Sequence, residues 1–88
     1  MVKVKNLQGT GRDRCDCNCT SWLEHWKNIS NKSPSHCGRI SCNAIPVCGG
    51  HVKKVAPEMT QYIIPLCYSC NNQRDLEFYA LEEELVRA

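Results

Sequence analysis

The fold of this chain depends most on residues 62–71, which read YIIPLCYSCN. A strand-sized apolar run leads directly into a CxxC pair, Cys67 and Cys70. A second pair, Cys37 and Cys42, lies upstream with four residues between its members. Two short loops that each present two thiolates can enclose one zinc ion, which takes four sulfur ligands tetrahedrally at about 2.3 Å. The spacing therefore predicts a zinc site made of these four cysteines.

The length and the cysteine content of the chain favour the same interpretation. Eight of its 88 residues are cysteine, and a domain this small buries only about 60% of the surface that its unfolded chain exposes. Small domains of this kind need a metal or disulfides to stay folded. Residues 1–5 alternate apolar and cationic side chains and do not resemble a secretion signal. We therefore expect a cytoplasmic, reducing location, where cysteines bind zinc rather than form disulfides.

Composition also limits the classes of partner. No apolar stretch approaches the roughly 18 residues of a membrane span, so we expect no membrane partner. Residues 1–74 carry ten basic and four acidic side chains, whereas residues 75–88 carry one and five. Four zinc-bound cysteinates would add a net charge of about −2, which would cancel the formal net charge of +2. The charge pattern therefore favours phosphate binding only weakly.

Two local patterns predict structure in the first third of the chain. Val2 and Val4 alternate with lysines, which indicates a short strand with one solvated face. Ser21 and Glu24 have the spacing of a capping box, in which each side chain binds the backbone N–H of the other residue at a helix start. We therefore expect a helix over about residues 21–29.

The rest of the chain predicts a hairpin and a C-terminal amphipathic segment. Trp22 and Trp26 share one face of the expected helix, which favours plain core packing over an exposed platform for base stacking. Two extended runs, the second from Gln61 to Leu66, are joined by a loop around residues 57–60 and predict a hairpin. The apolar residues after Cys70 suit an amphipathic helix, although residues 76–79 could equally form a strand.

The sequence does not decide whether a second metal site exists, because more than four candidate ligands are left for its four positions. Residues 48–51 read CGGH, which is zinc-knuckle spacing, and two cysteines two apart on an extended strand would point the same way. An unpaired cysteine is also a good small core residue, so the sequence allows one zinc or two. His36 is expected to be a solvated neighbour of Cys37. The candidate ligands of the second site are Cys17, Cys19, His25, Cys48 and His51, with Cys15 as a further thiol.

The GGHV motif at residues 49–52, followed by YIIPLCYSCN, resembles the core of HNH endonucleases and the wider treble-clef zinc group. The chain is also similar to a group of small bacterial and phage proteins that share a Cys-rich stretch, a Trp-x-x-His-Trp helix and these two motifs. The first resemblance covers about residues 37–72, and the second covers most of the chain.

The resemblance implies a small α+β zinc-binding domain over residues 1–88. Its core would be a treble-clef, or ββα-metal-like, hairpin plus helix at residues 37–72. A Cys/Trp-rich segment, residues 1–36, would precede this core, and an amphipathic segment, residues 73–88, would follow it.

The same resemblance implies roles for two residues and leaves two other roles vacant. His51 would be the general base of an HNH nuclease, and Asn71 would be a late ligand of its catalytic ion. Gly50 stands where the family has an acidic or histidine ligand, and Tyr62 stands where an asparagine orients the base. One imidazole and one carboxamide form a poor magnesium site, because Mg²⁺ prefers carboxylate and phosphate oxygens. We therefore expect HNH-like structure without catalysis, with a divergent nuclease as the alternative.

We therefore expect a zinc-stabilised binding module. Its partner could be nucleic acid or protein, because a treble-clef core serves both classes. For nucleic acid, Arg39, Lys53, Lys54 and Arg74 would contact phosphate. For a protein partner, the acidic C-terminal segment or exposed aromatic side chains would form the interface.

Overall fold

A five-stranded antiparallel sheet organises the parts of the chain that the computed structural model describes, residues 1–7, 21–55 and 60–88. The strands follow the order β4-β1-β2-β3-β5, and every neighbouring pair is antiparallel. The strands are β1 (Val2–Asn6), β2 (Cys48–Lys54), β3 (Gln61–Leu66), β4 (Glu77–Ala80) and β5 (Val86–Arg87). With its helices, this sheet confirms the expected small α+β structure.

The helices are short. Helix α1 (Trp22–Ser30) is capped by the Ser21 side chain, which accepts from the Glu24 backbone N–H, and it ends at Asn31 in the left-handed conformation. Helix α2 (Tyr68–Asn71) is one turn, and a 3-10 helix covers Glu82–Glu84. The helix predicted over residues 21–29 is therefore confirmed. None of the helices in the described residues is both long and apolar enough to cross a bilayer.

The hairpin of β2 and β3 is also confirmed. Its register pairs Cys48 with Leu66 at one end and Lys53 with Gln61 at the other. Residues 56–59, which hold most of the predicted loop, lie outside the described residues.

Both faces of the sheet are covered at β3, which explains why this strand is buried along almost its whole length. Side chains alternate between the faces of a strand. On one face, here the cysteine face, Val52, Ile64 and Leu66 pack with the cysteines of the CxxC pair. On the opposite face, here the helix face, Ile63 packs against α1.

Helix α1 is held to the sheet by Trp26. This side chain is buried against Ile63 and Val86, and its Nε1 donates to the Glu84 carbonyl at 2.8 Å. Core packing of Trp26 is therefore confirmed, because a ring buried to this extent cannot stack on a base. The close approach of α1 requires a glycine, since a Cβ on Gly49 would lie 2.6 Å from the Trp22 carbonyl carbon.

The prediction of a C-terminal amphipathic helix is wrong, and the alternative prediction of a strand over residues 76–79 is confirmed by β4. In β4, buried Phe78 and Ala80 alternate with exposed Glu77 and Tyr79, which is a period of two. The strand pairs with β1 along the edge of the sheet. The spacing of the later leucines suggested a helix, but pairing of this segment with β1 and β3 buries Phe78 and Val86 instead.

Candidate metal centre

Four cysteine side chains converge at one end of the β2–β3 hairpin. The Sγ atoms of Cys37, Cys42, Cys67 and Cys70 all lie within 4.8 Å of one another. Cys42 Sγ lies 3.9 Å from Cys67 Sγ and 4.0 Å from Cys70 Sγ. A tetrahedron of sulfurs around zinc at about 2.3 Å has edges of about 3.8 Å. The ligand type, number and spacing of this cluster could therefore hold one zinc ion.

The CxxC half of the cluster is formed by the start of α2. Cys67 is the N-cap residue of this helix, and its sulfur accepts a hydrogen bond from the Cys70 backbone N–H at 3.4 Å. The backbone N–H of Asn71 donates to the Cys67 carbonyl at 3.0 Å. This single turn directs both thiols of the pair to the same side.

The CxxxxC half is a loop that hydrogen bonds to two strands of the sheet. The Gly38 N–H donates to the Pro65 carbonyl of β3 at 2.6 Å, and the Ile40 N–H donates to the Tyr79 carbonyl of β4 at 2.9 Å. Ser41 adopts a left-handed conformation with φ of 76°, which turns the chain just before Cys42. The second pair of thiols is therefore positioned by the sheet as well as by its own turn.

The thiols differ in their acidity because they lie close together in a partly apolar site. Burial raises the pKa of Cys37 to about 12 and also raises the pKa of Cys70. Burial also tends to raise the pKa of Cys67, but hydrogen bonds from the Cys70 backbone and from neighbouring thiols outweigh burial and lower this pKa overall. Burial therefore favours the neutral thiols of Cys37 and Cys70, and a bound divalent metal would favour their thiolates.

Arg39 lies at the cysteine cluster. Its Nη1 donates to Cys70 Sγ at 3.9 Å, and this contact acts to lower the pKa of Cys70, although burial raises it overall. A guanidinium beside sulfur partly offsets the negative charge of a four-thiolate site. The contact of Arg39 with phosphate stays a prediction, and its contact with Cys70 was not predicted from the sequence.

The structure does not bring Cys48 and His51 to one metal. They lie three positions apart on β2, so their side chains point to opposite faces of the sheet. Cys48 Sγ donates to the Leu66 carbonyl at 3.3 Å, and burial raises its pKa. Residues 48–51 therefore do not form a zinc knuckle, because the strand directs its two candidate ligands to opposite faces.

The two histidines proposed for the second site lie on the helix face. His25 Nε2 is 2.8 Å from the Arg87 carbonyl oxygen. The ring of Trp22 contacts His51 edge-on, with centroids 4.4 Å apart. Among the described residues the four-cysteine cluster is the one group with metal-binding geometry. Cys15, Cys17 and Cys19 lie outside the described residues, so the second site is a prediction still.

His51 and Asn71, the two positions matched to HNH roles, are also separated by the sheet. His51 lies on the helix face against Trp22. Asn71 lies on the cysteine face, where its Oδ1 would be 3.0 Å from a Cβ on Gly50. The fold therefore does not place this imidazole and this carboxamide around one ion.

The adjacent lysines do not form one basic patch. Lys53 and Lys54 are consecutive in β2 and point to opposite faces. Lys54 Nζ forms an ion pair with Glu82 at 2.8 Å and lies over the Tyr62 ring. Arg74 is exposed.

Two features near the cluster were missed by sequence reasoning. A cavity of about 390 Å³ lies beside Cys42, between the CxxxxC loop and the C-terminal segment that includes Leu81 and Glu84. Asn6 of β1 is completely buried and binds the backbone around α2. His36, in contrast, is exposed and lies next to the site as expected, with Nδ1 2.9 Å from the Cys37 carbonyl oxygen.

Comparisons of this chain with protein-family models, with curated proteins and with solved structures find no match. Its function is therefore argued from the geometry of the site itself.

Proposed function

We propose that this protein is a zinc-stabilised binding module without catalysis of its own. The observation that carries the proposal is the convergence of four cysteine sulfurs within 4.8 Å, at separations that suit a tetrahedral zinc site. Zinc would join the CxxxxC loop to the CxxC turn, and its binding energy would contribute directly to folding. Such a site works in a reducing compartment, where thiols stay free.

We place the module in the treble-clef group. The order of its parts supports this assignment: a loop with two ligands, the β2–β3 hairpin, and two more ligands at the start of α2. The short α2 departs from the longer helix that the group's hairpin-plus-helix description implies.

A protein partner is the better fit for the exposed surface near the metal centre. Ile45, Val47 and Tyr68 are 78%, 58% and 72% exposed. The Val47 N–H donates to the Leu66 carbonyl, which places Val47 close to the start of α2 and to Tyr68. Neighbouring exposed apolar side chains such as Val47 and Tyr68 are typical of protein interfaces, whereas a nucleic-acid site requires a cluster of cations. A nucleic-acid partner is the alternative, and salt dependence separates the two.

Metal content and salt dependence test the proposal. Elemental analysis of protein purified without chelator should give one zinc per chain if the described cluster is the metal site, and two if a second site exists. Binding of nucleic acid should be absent or weak between low and physiological salt. A tight complex that weakens steeply as salt rises would instead indicate contacts with several phosphates.

The divergent nuclease is retained only as the alternative to be tested. The placement of His51 and Asn71 on opposite faces speaks against a shared catalytic ion. Incubation of the zinc-loaded protein with Mg²⁺ or Mn²⁺ and with single- and double-stranded DNA and RNA should give no cleavage. Cleavage that disappears in His51→Ala, with the fold retained, would revive the nuclease and overturn the module.

A further inference from the structure

We infer that Asn6 is a positioning residue of the metal centre. It belongs to the N-terminal strand, but its side chain hydrogen bonds to the backbone of the CxxC turn. The inference rests on the proposed zinc site. It assigns a metal-linked role to a residue that the cysteine spacing does not point to, and it connects β1 to the site.

The carboxamide of Asn6 binds three backbone carbonyls around α2. Its Nδ2 lies 3.0 Å from the Cys70 carbonyl oxygen, 3.1 Å from that of Asn71 and 2.9 Å from that of Gln73. Asn6 is 0% exposed. The carboxamide has two N–H protons and three acceptors, so one N–H donates to two carbonyls at once in a three-centre bond, which is common at helix ends.

The backbone of Asn6 binds the same segment. Its N–H donates to the Leu76 carbonyl at 2.8 Å, and its carbonyl accepts from the Asp75 N–H at 3.0 Å. The segment that follows α2 is therefore tied to a single residue of β1 through both backbone and side chain.

The chemistry of this position selects asparagine. The last carbonyls of a helix lack partners within the helix, and leaving such groups buried without donors costs about 1–3 kcal/mol each. A carboxamide offers two N–H donors, an aspartate carboxylate offers none, and alanine offers no polar group. The Cys70 and Gln73 carbonyls also accept from the backbone N–H groups of Gln73 and Leu76, at 3.3 and 3.2 Å. Asn6 therefore adds a second donor to these two carbonyls and supplies a donor to the carbonyl of Asn71.

The link to the metal is direct, because one of the three carbonyls belongs to Cys70. Holding the Cys70 backbone restricts where its Sγ can lie, and that Sγ is 4.0 Å from Cys42 Sγ. Groups that hold ligands in place typically change metal affinity by about 10- to 100-fold when they are removed. We expect Asn6 to act on metal binding in this way, through the geometry of the CxxC turn.

The test compares Asn6→Ala with Val4→Ala. Val4 lies two residues earlier on the same strand and the same face, and it is also fully buried. Both variants should lose stability. Asn6→Ala should in addition weaken zinc binding about 10- to 100-fold in competition with a chromophoric chelator, and it should alter the thiolate-to-metal absorption bands of the Co²⁺-loaded protein. Val4→Ala should keep the wild-type cobalt spectrum and lose less affinity.

A measurement on the wild-type protein keeps the inference testable if Asn6→Ala does not fold. Replacing Zn²⁺ with the larger Cd²⁺ keeps the metal centre filled, and nitrogen-edited NMR should then show a shift of the Asn6 carboxamide resonances, while those of exposed Asn31 at the end of α1 should not move. Equal effects of Asn6→Ala and Val4→Ala on affinity and spectrum, or an Asn6 carboxamide that does not respond to the exchange of metal, would overturn the inference alone. A wild-type chain that takes up no zinc would overturn the proposed function and this inference together.

Discussion

The sulfur atoms of Cys42 and Cys67 lie 3.9 Å apart, although the two residues come from different loops. Cys42 precedes β2 and Cys67 follows β3. The hairpin register pairs Cys48 with Leu66, so the start of β2 lies beside the end of β3. Strand pairing therefore closes the candidate metal site, and the metal in turn should hold the two ends of the hairpin together.

Removal of zinc should unfold the protein. Structural zinc contributes about 10–16 kcal/mol in small domains, which equals or exceeds the roughly 5–15 kcal/mol of total stability that domains have. An excess of EDTA should abolish the near-ultraviolet circular dichroism of Trp26, and added zinc should restore it. A spectrum that does not change after the metal has been removed would show that the apolar core alone sustains the fold.

Loss of one cluster thiol should have a much larger effect than loss of Cys48. Removing one of four ligands should cost on the order of 3 kcal/mol, which is about 100-fold in zinc affinity. Cys70→Ser should therefore lose zinc readily in chelator competition. Cys48→Ser is the matched control, because Cys48 is half-buried on the same face and packs against the same core without belonging to the cluster. Equal losses in the two variants would contradict the assignment of the ligands.

Zinc binding should release protons. In the folded chain, burial raises the pKa of Cys37 to about 12 and raises that of Cys70, and a thiol of the unfolded chain has an ordinary value of 9.0, so without zinc both thiols are neutral at pH 7 in either state. Zinc binds thiolates, so it must displace at least these two protons, and its affinity should fall as the pH is lowered. Calorimetry in buffers of different ionisation enthalpy measures the number released. Release of fewer than two protons at pH 7 would argue against Cys37 and Cys70 as ligands.

Arg39 should protect the metal centre from thiol-reactive reagents. Its Nη1 donates to Cys70 Sγ at 3.9 Å, and a hydrogen bond worth about 1 kcal/mol corresponds to about a fivefold change in rate. Arg39→Met should therefore speed alkylation of the zinc-loaded protein, with zinc release as the readout. Arg74→Met changes an exposed arginine and should leave the rate unchanged. Equal rates in all three proteins would show that the contact does not shield the sulfur.

Gly49→Ala should weaken the packing of α1 on β2 without affecting zinc binding. A Cβ at this position would lie 2.6 Å from the Trp22 backbone, and overpacking of this kind costs about 1–3 kcal/mol. The free energy of unfolding of the zinc-loaded protein should fall by that amount, while its zinc stoichiometry stays that of the wild type. Ser35→Ala, at an exposed loop position, is the neutral control. A Gly49→Ala protein as stable as the wild type would show that α1 can move away from β2.

Several elements could be predicted from the sequence because their signals are local. The cap of α1 depends on Ser21 and Glu24, which are three residues apart. The β2–β3 hairpin follows from two extended runs, and the cysteine pairs carry the spacing of a four-ligand set.

Other features depend on contacts between distant segments. The C-terminal residues form β4 because an edge of β1 is available to pair with them, and their own pattern suited a helix as well. Cys48 and His51 look like a ligand pair in the sequence, but strand pairing sends their side chains to opposite faces.

The sequence by itself determined which donor atoms the candidate site offers, since four of its thiols fall into two closely spaced pairs, a set that suits a metal that prefers sulfur. Only the tertiary structure decided which polar side chains support the site. Arg39 reaches Cys70 Sγ, and Asn6 reaches the Cys70 carbonyl from β1, 64 residues away in sequence. Neither contact leaves a local pattern, because each forms only after the sheet has brought its strands together.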